Sequence, residues 1–394
     1  MQIYAIVALV VATIGNGPVS AGEAAGTPPP LPIEPVGVVE TLPRDYPESW
    51  FLVHDAAFFH MLDGRVYVVD STGETISEQF KGMFNVSMIG NIRQSSKRSE
   101  IYATETFYTR GTRGEREDVL TIWDQESLSP AGEVLLPGGK RFMGLPERYA
   151  TLLIDDDRWL AVANLSPATS VTLIDLDRRE IINEIATPGC SLVYPTGRRG
   201  FSSLCADGRF LSTELDEDGN VVAQVRTPSF FSSDDTPIFE RPAVIGDTAW
   251  FPSFAGLVYP VDVSDTVASV GEPWHLVPEN ERAENWAPSG LGIIDRDDLG
   301  RFYVIMHPDA QDGSHNGGGP EVWVYDPEQQ QRVLRVALEE WGVSLAVSRG
   351  PAPKLLITNP VDMSLELYDG LSGKFLKTIT GLGQETPLML HGAQ

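Results

Sequence analysis

The sequence predicts an all-β fold, a seven-bladed β-propeller, on three observations. A short β-rich run ending in Asp recurs seven times, a polar turn and a second apolar strand follow it, and the repeat length suits four strands per unit. The runs are residues 66–70, 120–124, 171–175, 211–216, 257–262, 322–326 and 365–369. Their aspartates, Asp70, Asp124, Asp175, Asp216, Asp262, Asp326 and Asp369, lie 54, 51, 41, 46, 64 and 43 residues apart.

Each repeat is justified by its own chemistry. Ser71-Thr72-Gly73-Glu74, Glu217-Asp218-Gly219-Asn220 and Gly370-Leu371-Ser372-Gly373 follow three of the aspartates and are hairpin signals. A four-stranded sheet with two apolar faces cannot bury both alone, so the blades must stack around an axis, and closing the ring protects the edges. The seven aspartates are expected to accept backbone hydrogen bonds in their turns rather than to act in catalysis.

In chain order, residues 3–14 form an almost unbroken apolar run, and Val19-Ser20-Ala21 offers the short residues a signal peptidase reads. Residues 1–21 are therefore read as a cleaved signal peptide, although its start carries no Lys or Arg. The run is too short to span a bilayer. Residues 22–45, with several Pro and Gly and little periodicity, are expected as an extended arm. Residues 46–394 then form one propeller without a linker break.

The 394-residue chain has a net charge of −26, which argues against nucleic acid and anionic membrane as partners, since both call for a basic surface. Acidic clusters at Asp155-Asp156-Asp157 and Asp234-Asp235 are read as solvated loops, with a docking face for a basic partner as the alternative. The two cysteines, Cys190 and Cys205, end a strand–turn–strand segment. In an exported chain they can bridge neighbouring strands of one blade, contributing roughly 3 kcal/mol.

No self-sufficient active site is written in the sequence. The six histidines, His54, His60, His275, His307, His315 and His391, form no metal-binding spacing. His307 and His315 flank a polar loop better read as an inter-strand connection than as a cation site. Asp216-Glu217-Asp218-Gly219 lacks the later glutamate of a calcium loop. No nucleophile elbow, phosphate loop or dinucleotide fingerprint occurs. A binding or structural subunit and an enzyme with dispersed pocket residues then compete as readings.

Five stretches go further. Residues 109–118, 164–170, the Cys190/Cys205 pair, 285–290, and 306–309 running to 321–324, in this order and spacing, resemble the heavy chain of the quinoprotein amine dehydrogenases, most closely that of aromatic amine dehydrogenase. The resemblance implies a periplasmic propeller paired with a small disulfide-rich light chain, two heavy and two light chains together. It implies tryptophan tryptophylquinone and the catalytic base on the light chain, and no cofactor or metal on this one. The implied reaction is oxidative deamination of a primary amine to an aldehyde and ammonia, with electrons passing to a blue-copper protein such as amicyanin or azurin.

The resemblance also implies a heavy-chain phenylalanine in the substrate channel, matched here by Phe84, with Met83 and Asn85 beside it. Strand alternation should turn at least one of these neighbours away. Trp123 and Trp323 are expected in the core, residues 110–116 in an exposed charged loop, and Asn316-Gly317-Gly318-Gly319 in a flexible one. The alternatives are a propeller subunit of a quinohaemoprotein amine dehydrogenase and a non-enzymatic periplasmic binding propeller.

Overall fold

The computed structural model describes residues 41–58, 63–383 and 385–393. The leader at 1–21, arm residues 22–40 and His60 lie outside the described residues. Seven antiparallel sheets form the blades, and Thr41–Gln394 is one compact unit.

The first blade explains how the ring closes. Its strands are, from the axis outward, Met389–Gly392, Trp50–Asp55, Asp63–Asp70 and Phe80–Ser87. The inner strand therefore comes from the C-terminal end, with His391 opposite Leu52 and Met389 opposite His54. Phe51, Val53, Tyr67 and Val69 pack with Leu390 against Ala346, Leu356 and Leu367 of the last blade, so residues from both ends of the chain share one apolar layer.

Blades 2, 3, 4 and 7 are four-stranded meanders beginning with Asn91–Ser95, Thr151–Ile154, Cys190–Pro195 and Ser344–Val347. In blade 5, Ser269–Val270 and Trp274–His275 both pair with Leu257–Asp262. In blade 6 the innermost position is split between Ala287–Pro288 and Ile294–Arg296, both paired with Phe302–His307.

Six of the repeated aspartates end the third strand of a blade, Asp216 directly follows the strand Phe210–Leu215, and all seven organise the turn beyond. Each accepts a backbone N–H through Oδ1: from Thr72, Ser127, Asp177, Asp218, Ser264, Gln329 and Ser372 respectively. Side-chain donation from Asn220 and Ser264 holds Asp216 and Asp262 below the usual carboxylate range.

Two details depart from the sequence reading. The strand after each aspartate is the outer edge of its blade and is not uniformly apolar; Val221–Arg226 is almost wholly exposed. The segment after Asp70 is no tight hairpin, because Thr75 and Glu78 form a reciprocal capping box that starts a helical turn at Ile76–Gln79.

Candidate functional site

The meander gives the propeller two unlike faces. Turns joining strands 1 to 2 and 3 to 4 lie on one face, which carries the aspartate turns and ion pairs such as Lys97–Asp156 and Arg198–Asp155. Those pairs occupy two members of the Asp155–Asp157 cluster, and the hydroxyl of Ser95 donates to the third. Loops joining strands 2 to 3, with the connections between blades, lie on the opposite face. Here Phe58, Phe107, Leu165 and Trp341 are nearly half exposed, and Val361 is 82% exposed. These side chains lie on different blades, and others such as Leu299 and Leu371 are exposed on the aspartate face.

Over blades 3 to 6 this loop face is hollowed into two adjoining cavities of about 380 and 550 Å³, which share Pro237 and Phe254. The first takes Trp286, His307, Ser314 and His315, with Asp234 and Asp235 at its side. His307 is buried at the end of its strand with Nε2 3.2 Å from the Ser314 hydroxyl, and burial lowers its pKa. The His315 ring stacks on Phe254 at 4.2 Å, so the two histidines that flank the loop are engaged separately. Among the described residues no group of three His, Cys, Asp or Glu side chains is arranged to hold a metal ion.

The second cavity is more apolar. It is lined by Leu165, Phe231, Ile238 and the Cys190–Cys205 disulfide, which joins residues directly opposite each other in neighbouring strands of blade 4. The Arg226 guanidinium lies 3.2 and 3.4 Å from the two sulfurs.

The glycine run is shaped by packing rather than by flexibility. Gly318 has φ +78°, and a Cβ there would sit 2.1 Å from the Gly342 carbonyl oxygen. The close approach lets the loop lie on the last strand of blade 6, where the Trp341 indole donates to the Gly317 carbonyl at 2.6 Å.

A second polar assembly occupies the axis. Asp295, buried on the inner strand of blade 6, accepts from Arg148 at 3.2 Å, from Arg349 at 3.3 Å and from the Val347 amide at 3.0 Å. Burial raises its pKa, but Arg349 and Arg148 outweigh that and hold the carboxyl well below its usual range. Arg148 also donates to the Leu390 carbonyl, tying blades 1 and 6 to the segment that enters blade 3.

The methylamine dehydrogenase heavy chain family matches residues 49–392. The chain belongs to that family. Membership makes it the heavy-subunit type of an amine dehydrogenase. The methylamine dehydrogenase heavy chain of Methylophilus methylotrophus is 25% identical over 335 residues, 84% of this chain and 80% of that one. That of Paracoccus versutus is 23% identical over 336 residues, covering 84% and 76%. Among solved structures, a putative 6-phosphogluconolactonase from Bacteroides fragilis superposes with a TM-score of 0.58 at 13% identity, covering 91% of this chain and 99% of that one. A dihydro-heme d1 dehydrogenase gives 0.52 at 16% identity, covering 86% and 66%. Both show the fold alone.

Parts of the five stretches that carry the resemblance to this heavy-chain family share the loop face, spread over blades 2 to 6, while residues 321–324 of the last stretch lie in the third strand of blade 6, with Val322, Trp323 and Val324 buried. The exposed 109–115 loop, the 164–170 loop, the disulfide, the 285–290 entry to blade 6 and the 306–309 strand end all reach the loop face. Phe84 does not share their setting. It lies mid-strand at the outer edge of blade 1, is 3% exposed, and packs on Trp123 at 5.0 Å with Leu42 and Leu128 nearby. Met83 and Asn85 point the other way and are exposed, as alternation requires. Trp323 is fully buried and donates to Glu321.

The axial cluster and the groove were not found from sequence. Their residues come from different blades with no shared spacing, and the one available signal was that Arg93 and Asp295 interrupt short inner-strand runs.

Proposed function

We propose that this chain is the large, cofactor-free subunit of a periplasmic tryptophan tryptophylquinone amine dehydrogenase, exported through the signal peptide at 1–21. Its loop face holds a small disulfide-rich light chain, with two copies of each subunit in the assembly. The observation that supports the reading is that parts of all five stretches and the two-part groove share that one face.

The quinone, when present on the light chain, supplies the oxidation of the amine and passes its electrons to a blue-copper acceptor. This chain contributes burial, water exclusion and one wall of the substrate channel. For that wall the resemblance offers Phe84, with Met83 and Asn85 beside it; in this chain Phe84 is buried against Trp123 and only Met83 and Asn85 are exposed. Two of the propeller's own tryptophans fit a packing role: the rings of Trp286 and Trp323 pack at a tilt with centroids 5.1 Å apart, their indoles donate to Glu284 and Glu321, and Arg335 covers both rings.

The test is an affinity capture of the chain from its native periplasm, followed by intact mass and visible spectra before and after methylamine or an aromatic amine. A small partner whose quinone absorbance is bleached by amine supports the reading, and the more effective amine names the substrate class. A dihaem partner points instead to the quinohaemoprotein enzyme. A chain recovered alone and colourless from amine-grown cells overturns the assignment in favour of a binding propeller.

A further inference from the structure

The propeller axis holds a surplus of positive charge in a chain whose net charge is −26. Arg93 of blade 2, Arg148 ahead of blade 3, Arg349 after the inner strand of blade 7 and His391 of blade 1 line a cavity of about 50 Å³. Among the described residues, Asp295 is the one carboxylate bonded to these guanidinium groups, and it is shared by Arg148 and Arg349. Arg93 donates, among the described residues, only to the backbone carbonyls of Arg148 and Thr151. Of the neighbouring acids, Glu147 is engaged by Arg241 at 2.5 Å, and Asp157 accepts from Ser95 at 2.7 Å.

The hydrogen-bond inventory points the same way. Nε of Arg93 and Nε of Arg349 are buried and find no partner among the described residues. Buried donors left without acceptors are rare in native proteins and costly when they occur. His391 does not relieve the imbalance as an anion could. Burial, with Arg148, His54 and Arg93 nearby, lowers its pKa well below the ordinary range, so it stays neutral. Burial likewise depresses Arg93 to about 10, still cationic at neutral pH.

We propose that this axial cavity is a binding site for one small inorganic anion of the halide class, held between Arg93, Arg148 and Arg349. The cavity has room for a monatomic anion with one or two waters and none for a nucleotide or sugar. The anion neutralises guanidinium groups contributed by blades 2 and 7 and by the entry to blade 3. It thereby couples blades 2 and 7 and the entry to blade 3 beside the closing strand, where His391 lines the same cavity.

The experiment uses the full chain as isolated, with any partner it carries, crystallised in sodium bromide and examined for anomalous scattering. A bromide peak within hydrogen-bonding distance of these guanidinium groups is expected. In parallel, thermal unfolding is followed in sodium chloride and in sodium gluconate at equal ionic strength. At tenfold excess over Kd, chloride should raise Tm by about 2 °C relative to gluconate. Arg93→Met should shrink that increment at least severalfold. If Arg93→Met does not fold, Arg349→Met serves in its place. A general loss of stability lowers Tm in both salts, whereas loss of the site removes the chloride-specific increment. Water alone in the cavity, bromide confined to the surface, or an unchanged increment in the folded variant overturns the proposal.

Discussion

Reducing the Cys190–Cys205 disulfide should lower the stability of the propeller by about 3 kcal/mol while leaving its fold intact. The two cysteines are 15 residues apart in sequence and face each other across adjacent strands. In the native state the ladder between these strands already holds the ends of that segment together. The bond therefore acts chiefly on the unfolded chain, and closing a loop of this length removes entropy equivalent to about 3 kcal/mol at 25 °C. For a unit of about 350 residues, an unfolding entropy near 2 cal/mol/K per residue turns that into a fall in Tm of about 4 °C. The assay is urea and thermal denaturation of oxidised and reduced wild type, with Cys190→Ala/Cys205→Ala alongside. Reduced wild type keeps the buried sulfurs packed with Leu211, so it isolates the cross-link, whereas the alanine variant also loses packing. Should reduced and oxidised wild type unfold together while only the alanine variant is weakened, the loop-closure argument fails and packing is the whole contribution.

Asp295→Asn removes the carboxylate from a buried cluster of guanidinium groups and should cost about 3–5 kcal/mol in urea denaturation. Because the folded-state pKa of Asp295 is depressed, its contribution is fully present above the ordinary carboxylate range and is lost as pH falls below it, so the variant should show a flatter acid limb. His54 is fully buried, and burial lowers its pKa from 6.5 to about 4 despite the neighbouring Asp55. Its neutral form is therefore favoured in the fold. Stability should fall as pH drops from about 6.5 towards 4, by about 3 kcal/mol in all, a loss that His54→Leu should abolish in pH-dependent denaturation. Phe84→Ala should destabilise by about 3–5 kcal/mol, as for an interblade core ring, read from the urea midpoint. An altered amine preference at unchanged stability would instead place that ring in the channel.

The fold was legible because the propeller repeats its strongest local signal. Each third strand must end in a turn, and an aspartate that caps its own turn is the same solution found seven times, from Asp70 to Asp369. The closing strand was not legible. Met389–Gly392 is four residues long, and what makes it an inner strand is pairing with Trp50–Asp55 at the other end of the chain. The helical turn at Ile76–Gln79 could have been found, since Thr75-x-x-Glu78 is a readable capping box that the Ser-Thr-Gly turn signal obscured. The site divides in the same way. The cysteine pair and the stretches on the loop face carry recognisable residues, whereas the axial cluster is assembled from single residues of separate blades. Phe84 illustrates the remaining gap: its position in the strand could be read, but Trp123, which buries it, belongs to the next blade.

The difference between the two faces follows from what each must do for the fold. Turns on the aspartate face join neighbouring strands within a blade, so they are held short, and their polar groups are spent on Asx turns and local ion pairs. Connections between blades end on the other face, and those at 136–150, 227–242 and 276–286 are long enough to bear surface of their own. The groove draws on the last two of these through Phe231, Pro237 and Trp286, whereas Phe58, Phe107 and the 109–115 and 164–170 stretches belong to the strand 2 to 3 loops of the same face. The 136–150 connection also turns inward, because Arg148 and Tyr149 reach the axis and the Pro242 carbonyl respectively. A partner pressing on the loop face therefore bears on a segment anchored in the buried charge cluster. Rigidity at the axis is then what allows long loops to present a fixed surface, and weakening Asp295 should loosen that surface before it unfolds the ring.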